Sequence, residues 1–393
     1  MILSPRDIQQ HFSTEWKLPF SKSVSNRLAV IQRLAGEQAQ EFGPDQPDDM
    51  HRMANLLHSE SDIIDVQHAG TAARFGMAYL ALTTQKRIVL NGSPSLQSRP
   101  MGELIAALRK LGADVVEIGK PGALPVQIQP AALVGGSISM DGRVSSQFVS
   151  ALCLIGPHLH QGLSIQLVNG VSSRPYLDMT LEIMRRCGAE VKQPSPHRIE
   201  IKNGRYRVDH SLWELDFSAA HYAWAWSQLI QKPILLPNLS MDSLQGDSRF
   251  QIAQPMWATV NGGLQTVVHS SKDFPPTIDF ESNPDLAPTY ICMYAALGLQ
   301  GRFTGLHTLN QKESRRLDVL ASQLKKAGFD ISSNGRDQLE LHGGKYHPHS
   351  FPTFDDHRMA MSFALFGAMD RVEIENPEVV SKSFPKYWEV FSY

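Results

Sequence analysis

Residues 20–27 read Phe20-Ser21-Lys22-Ser23-Val24-Ser25-Asn26-Arg27. Three serines, an asparagine and two cations stand directly before an apolar run, Leu28 to Leu34, which stops at Ala35-Gly36. The pattern predicts a helix with a polar cluster at or near its N-terminus. Unpaired backbone N–H groups and the positive dipole end favour an anion there, and Lys22 and Arg27 add full charges. A cluster of this kind, taken alone, reads as a helix cap. Its recurrence along the chain gives it weight.

Six times a small or polar cluster precedes an apolar, helix-like run. The clusters are Ser25-Asn26-Arg27, Gly70-Thr71-Ala72, Ser145-Ser146-Gln147, Ser218-Ala219-Ala220, Asp285-Leu286-Ala287 and Asp356-His357-Arg358. Runs apolar nearly all round, such as Phe148 to Ile155 and Met359 to Phe366, predict buried helices. Between them lies a second element, an amphipathic helix ending at glycine and followed by a strand. It reads at Leu108 to Val115, Met184 to Val191 and Leu324 to Ile331, and more loosely at Val260-Asn-Gly-Gly263. These helices open near Arg99, Arg174, Arg249 and Arg316, with Lys382-Ser-Phe-Pro385 taking that place in the last unit. The spacing is about 70 residues, except that the first unit is shorter by about 25 and lacks its strand pair after Asp48 to Leu57. Three units per lobe predict two similar lobes. Residues 20–212 form one, with units one to three; residues 1–19 plus 213–393 form the other, with units four to six. Helix ends carrying Ser, Lys and Arg are expected to converge on a cleft between lobes that close on a polyanionic ligand.

Composition narrows the function classes. The 393 residues are 42% hydrophobic and 19% charged, with a formal net charge of -2. That balance argues against nucleic acid or an anionic membrane as the main partner. Cys153, Cys187 and Cys292 lie in apolar runs without a C-x-x-C pair, so neither a disulfide framework nor a zinc site is expected. No run has the length of a membrane span and no signal-peptide pattern opens the chain, so a cytoplasmic protein is expected.

Ten landmarks in order then carry a resemblance. They are Ser21-Lys-Ser-Val-Ser-Asn-Arg27, Ala69-Gly-Thr-Ala72 with Arg74, Arg99-Pro100, Val144-Ser-Ser-Gln147, Ser173-Arg-Pro-Tyr176, Gln245-Gly-Asp247, Pro284-Asp285, Lys312-Glu-Ser314 with Arg316, Asp356-His-Arg-Met-Ala-Met361 and Lys382-Ser-Phe-Pro385. Over nearly its whole length the chain resembles the EPSP synthases of the enolpyruvyl transferase family. The resemblance implies an α/β (α+β) fold of two lobes, each of three βαβαββ units in an inside-out, barrel-like arrangement, with the first unit trimmed. It implies transfer of the enolpyruvyl group of phosphoenolpyruvate to the 5-hydroxyl of shikimate 3-phosphate, with release of phosphate, in chorismate and aromatic amino-acid synthesis. No metal or organic cofactor is implied, and a monomer is expected.

The resemblance also assigns residues. Shikimate 3-phosphate falls to Ser23, Arg27, Ser145, Ser146, Gln147, Ser173, Tyr176 and Asp285, with Lys22 and Lys312 shared. Phosphoenolpyruvate falls to Lys22, Gly70, Arg99, Gln147, Arg316, Arg358 and Lys382. The planar guanidinium suits a carboxylate and the lysine ammonium a phosphate. Asp285, Glu313 and Lys22 are the catalytic candidates: Asp285 would accept the 5-hydroxyl proton, and Glu313 would exchange a proton with the methylene carbon. Glu313 must be protonated in one half-reaction, which calls for burial that raises its pKa. Read without the resemblance, Ser145, Ser146 and Asp285 are helix caps, Glu313 a first-turn acid, Gly70 a turn glycine, and the arginines solvated helix ends.

Several positions depart from the family pattern. Phe20 replaces a hinge glycine, His68 stands where asparagine is common, and Arg315 replaces an aspartate beside Arg316. Thr308 falls where an asparagine is expected, and Asn310 does not take its role. His357 reads as structural. These departures keep open a non-catalytic shikimate-phosphate-binding homologue. A transferase acting on a UDP-linked amino sugar also stays open, although it would need a loop cysteine that is not evident here.

Overall fold

The computed structural model describes residues 1–392. The repeat inferred from the sequence is visible as one sheet topology used three times. Strands Ile63–Asp65, Ile88–Asn91, Asp114–Glu117 and Val126–Gln129 pair in the order first, second, fourth, third. The first two run parallel around a buried helix, and the other contacts are antiparallel. The same order recurs in Gly136–Gly142, Leu163–Val171, Val191–Ser195 and Arg198–Ile201, and again in Thr277–Asp279, Gly301–Thr304, Phe329–Ser333 and Leu339–Gly344. Each is a βαβαββ unit whose parallel pair needs a crossover, and the buried helix supplies it.

The chain divides into two compact lobes. One comprises Lys22–Pro44 and Asp48–Trp213; the other comprises Met1–Ser21, Asp45–Pro47 and Glu214–Tyr393. The first lobe holds two of the complete sheets. Its opening unit is reduced to helices Lys22–Leu34 and Asp48–His58, and no sheet among the described residues belongs to it. The second lobe closes its fourth and sixth units with the N-terminal segment. Glu15 bridges Leu235 in parallel, and Ile2–Leu3 pairs antiparallel with Val372–Ile374.

The six apolar runs are buried helices, and their starts explain the polar clusters. Ser145 caps Ser146–Ile155, Asp216 caps Phe217–Ile230, and Asp356 caps His357–Phe363, each side chain accepting a first-turn backbone N–H. Gly70–Thr83 begins at its glycine, and Pro284–Leu286 is a 3-10 turn leading into Ala287–Ala296. Around these helices lies an aromatic core in the second lobe that includes Trp16, Trp224, Trp226, Tyr387 and Phe391. Each large side chain removed from water there contributes about 1.5–3 kcal/mol.

Three details differ from the sequence reading. Helix Lys22–Leu34 starts ahead of Ser25-Asn26-Arg27, so those residues lie buried within it. Val260-Asn-Gly-Gly263 is a two-residue hairpin between Trp257–Val260 and Gly263–Thr266, not a helix end; Asn-Gly between strand residues is a hairpin signal. Lys382 closes the 3-10 helix Pro377–Lys382 and does not open a helix. The other amphipathic helices, Gly102–Lys110, Arg174–Arg186 and Arg316–Lys326, are followed by Gly112, Gly188 and Gly328, all at positive φ.

Candidate active site

In the second lobe a buried guanidinium gathers the acids. Arg316 stands at the start of helix Arg316–Lys326 and is 1% exposed. Its Nε and Nη2 donate to the two carboxylate oxygens of Asp356 at 2.7 and 3.1 Å. Nη1 donates to Asp285 Oδ1 at 2.8 Å and Nη2 to Glu313 Oε2 at 2.7 Å. Asp356 also accepts Ser314 Oγ and the backbone N–H of Arg358, so one carboxylate fixes the arginine and caps the next buried helix. A carboxylate meeting so many donors is the geometry in which a buried ion pair is retained.

Further cations surround the same acids. Lys312 Nζ lies 3.2 Å from Asp285 Oδ1, and Lys382 Nζ lies 3.3 Å from Glu313 Oε1. Arg358 donates to the Asp285 backbone carbonyl at 3.0 Å. Six residues singled out from the sequence, Asp285, Lys312, Glu313, Arg316, Arg358 and Lys382, are thus brought together. Burial opposes the charge on Asp285, but Lys312, Arg358 and Arg316 hold its carboxyl well below the usual range. Burial lowers the Lys312 ammonium pKa, against the attraction of Asp285. Asp285 is therefore firmly ionised here.

The departures in this lobe fall outside the cluster. Arg315 is exposed and pairs with Asp318, so its charge points away from the acids bound to Arg316. Asn310 caps helix Arg316–Lys326 through Leu317 N–H and Asp318 N–H. His357 is 1% exposed, in keeping with a packed role.

The first lobe holds the remaining candidates. Gly70 opens a buried helix against two guanidiniums: a Cβ added there would lie 2.6 Å from Arg74 Nη1 and 2.8 Å from Arg99 Nη1. Arg74 donates to the Gly70 carbonyl and stacks over Phe148. Gln147 Nε2 donates to Thr71 Oγ1, and its buried Oε1 has no hydrogen-bond partner among the described residues. Two guanidiniums, a helix N-terminus and an amide around a glycine form a cradle for an anion. Ser145 and Ser146 lie at the helix end that carries Gln147.

Arg27 is 2% exposed and donates to Thr180 Oγ1, to the Ser23 carbonyl and to the Tyr176 carbonyl, with its guanidinium over Phe75. Burial lowers its pKa to about 9. Ser173 holds a left-handed backbone at φ 50 before helix Arg174–Arg186, which carries Tyr176. Lys22 Nζ lies 2.8 Å from Asp49 Oδ2. Asp49, Arg74, Asp356 and Thr180 were given no role from the sequence. Asp49 and Asp356 each stand at the head of a helix.

The architecture is one found in solved structures. It superposes on an EPSP synthase from Acinetobacter baumannii with a TM-score of 0.71, at 19% identity, over 97% of this chain and 95% of that one. It also superposes on the enolpyruvyl transferase NikO from Streptomyces tendae with a TM-score of 0.69, at 14% identity, over 99% and 96%. At such identities the likeness concerns the fold, which sister transferases share. Sequence decides between them. The pattern of EPSP synthase (3-phosphoshikimate 1-carboxyvinyltransferase) matches residues 10–391, and the chain belongs to that family. A 3-phosphoshikimate 1-carboxyvinyltransferase of Bacteroides fragilis is 35% identical over 385 residues, covering 95% of this chain and 93% of that protein.

Proposed function

We propose that this chain transfers the enolpyruvyl group of phosphoenolpyruvate to the 5-hydroxyl of shikimate 3-phosphate, acting as a monomer in the cytoplasm. The acceptor hydroxyl adds to the enol carbon while the methylene carbon gains a proton. The tetrahedral ketal then loses a proton from the resulting methyl group together with phosphate. In this reading Asp285 takes the hydroxyl proton, and Glu313 exchanges the proton at the methylene carbon. Lys22 and Lys382 neutralise charge developing on the departing phosphate. Arg316 and Arg358 hold the carboxylate of phosphoenolpyruvate, and Gly70, Arg99 and Gln147 its phosphate. Shikimate 3-phosphate is held by Ser23, Arg27, Ser145, Ser146, Gln147, Ser173, Tyr176 and Lys312.

The observation that carries the reading is the joining of Asp285 and Glu313 by one buried Arg316. An anionic substrate that takes over Arg316 removes one cation from both acids in a single event, leaving Lys312 and Arg358 near Asp285 and Lys382 near Glu313. A transferase relying on a reactive cysteine is disfavoured: Cys153, Cys187 and Cys292 are all buried, and burial pushes their thiols up.

The test is phosphate release by the purified protein with both substrates and with each omitted. Release that requires both is the expected result. Binding of shikimate 3-phosphate without release would support a non-catalytic homologue. Absence of both would move the search to the amino-sugar acceptor.

A further inference from the structure

His68 precedes the Gly70 cradle by two residues and is exposed. Its Nδ1 lies 2.9 Å from Ser93 Oγ, a hydrogen bond whose donor depends on the imidazole tautomer. Ser93 is the cap of the short helix Pro94–Gln97, its Oγ accepting Leu96 N–H at 3.3 Å. Its backbone N–H donates to the Gln67 carbonyl at 2.9 Å. Arg99 follows directly, its N–H donating to the Leu96 carbonyl at 3.1 Å. One serine therefore stitches residues 67–68 to the turn that delivers Arg99, whose Nη1 reaches Gly70.

We propose that the His68–Ser93 pair is a positioning device that sets where the Arg99 guanidinium stands over Gly70, and so tunes affinity for the phosphate of an enol phosphate. The inference rests on the proposed function for the identity of that ligand. The physical reason is the length of the arginine side chain. Several rotatable bonds separate its head from the backbone, so a shift of the turn beneath it moves the point from which the head reaches. Neither His68 nor Ser93 touches the reacting atoms in this scheme. Both act through Arg99.

A double-mutant cycle tests this. His68→Ala is expected to raise KM for phosphoenolpyruvate about fivefold, the scale of one lost hydrogen bond. kcat should stay within about twofold, and KM for shikimate 3-phosphate should not move. Ser93→Ala should raise KM for phosphoenolpyruvate at least as much. The double variant should match Ser93→Ala, because the two side chains form one link. His68→Asn, which keeps a hydrogen-bonding atom near the position of Nδ1, should recover most of the affinity. Full additivity of the two alanine variants, or equal effects on both substrates, would overturn the proposal. Hydrogen exchange of the backbone amides of residues 93 and 95–99 in the unliganded protein gives a readout independent of turnover. Faster exchange in His68→Ala is expected, and unchanged exchange would overturn the device even if the wild-type protein proved inactive. Wild-type inactivity by itself would count against the proposed reaction and not against the link.

Discussion

Asp356→Asn should destabilise the protein strongly, and the size can be worked from its contacts. The carboxylate is fully buried and accepts from four donors: Arg316 Nε and Nη2, Ser314 Oγ and the Arg358 backbone N–H. Asparagine keeps one acceptor oxygen, which can retain the helix cap and one arginine contact. Its amide must then face the remaining donors, setting N–H against the Arg316 Nε–H. Breaking a buried ion pair by removing one partner costs about 3–5 kcal/mol. Arg316 still has Asp285 and Glu313, so the lower end applies, about 3 kcal/mol. In a cooperative body of roughly 200 residues that lowers Tm by about 6–12 °C. Calorimetry and urea titration of the two proteins side by side would measure it. A Tm within about 2 °C of wild type would refute the view that Asp356 is what seats Arg316.

Other substitutions test the chemistry. Glu313→Gln should lower turnover at least about 100-fold, the usual scale of general acid–base catalysis, while isothermal titration still detects shikimate 3-phosphate. Gly70→Ala places a methyl group within 2.8 Å of both Arg74 Nη1 and Arg99 Nη1. Both guanidiniums must shift, so KM for phosphoenolpyruvate should rise by about tenfold or more, with the affinity for shikimate 3-phosphate kept. Asp285 has a folded-state pKa below its unfolded value. Its contribution to stability is present above the unfolded pKa of about 3.9 and is lost as pH falls toward the folded value. Asp285→Asn should therefore show a shallower loss of stability than wild type below about pH 4, read by urea titration across pH.

The repeat was legible because buried helices leave an unmistakable run, as at Phe148 to Ile155, and because glycine marks the stop of Gly102–Lys110 and its counterparts. Pairing between distant segments was less legible. The bridge from Glu15 to Leu235 ties the N-terminal segment to the strand Leu235–Pro237, yet nothing near Glu15 names its partner. The hairpin at Val260-Gly263 was misread because one glycine serves a helix end and a turn equally well. In the site, the cations and acids of the second lobe could be picked out by residue type and order. Their partners could not. That Asp356 belongs to Arg316, or Thr180 to Arg27, depends on contacts 40 and 153 residues apart that no local pattern encodes.

The pairing of Ile2–Leu3 with Val372–Ile374 has a consequence for how the molecule forms. The Met1 ammonium donates to the Ile374 carbonyl across 373 positions of chain. The lobe of Lys22–Pro44 and Asp48–Trp213 is nearly continuous and can collapse as it leaves the ribosome. In the other lobe, Ile2–Leu3 is synthesised long before the strand Val372–Ile374 that pairs with it. Until then the edge of Ile2–Leu3 has no native partner, and contacts of such separation are slow to close. Refolding should therefore proceed lobe by lobe, with the lobe that contains the chain's beginning assembled last.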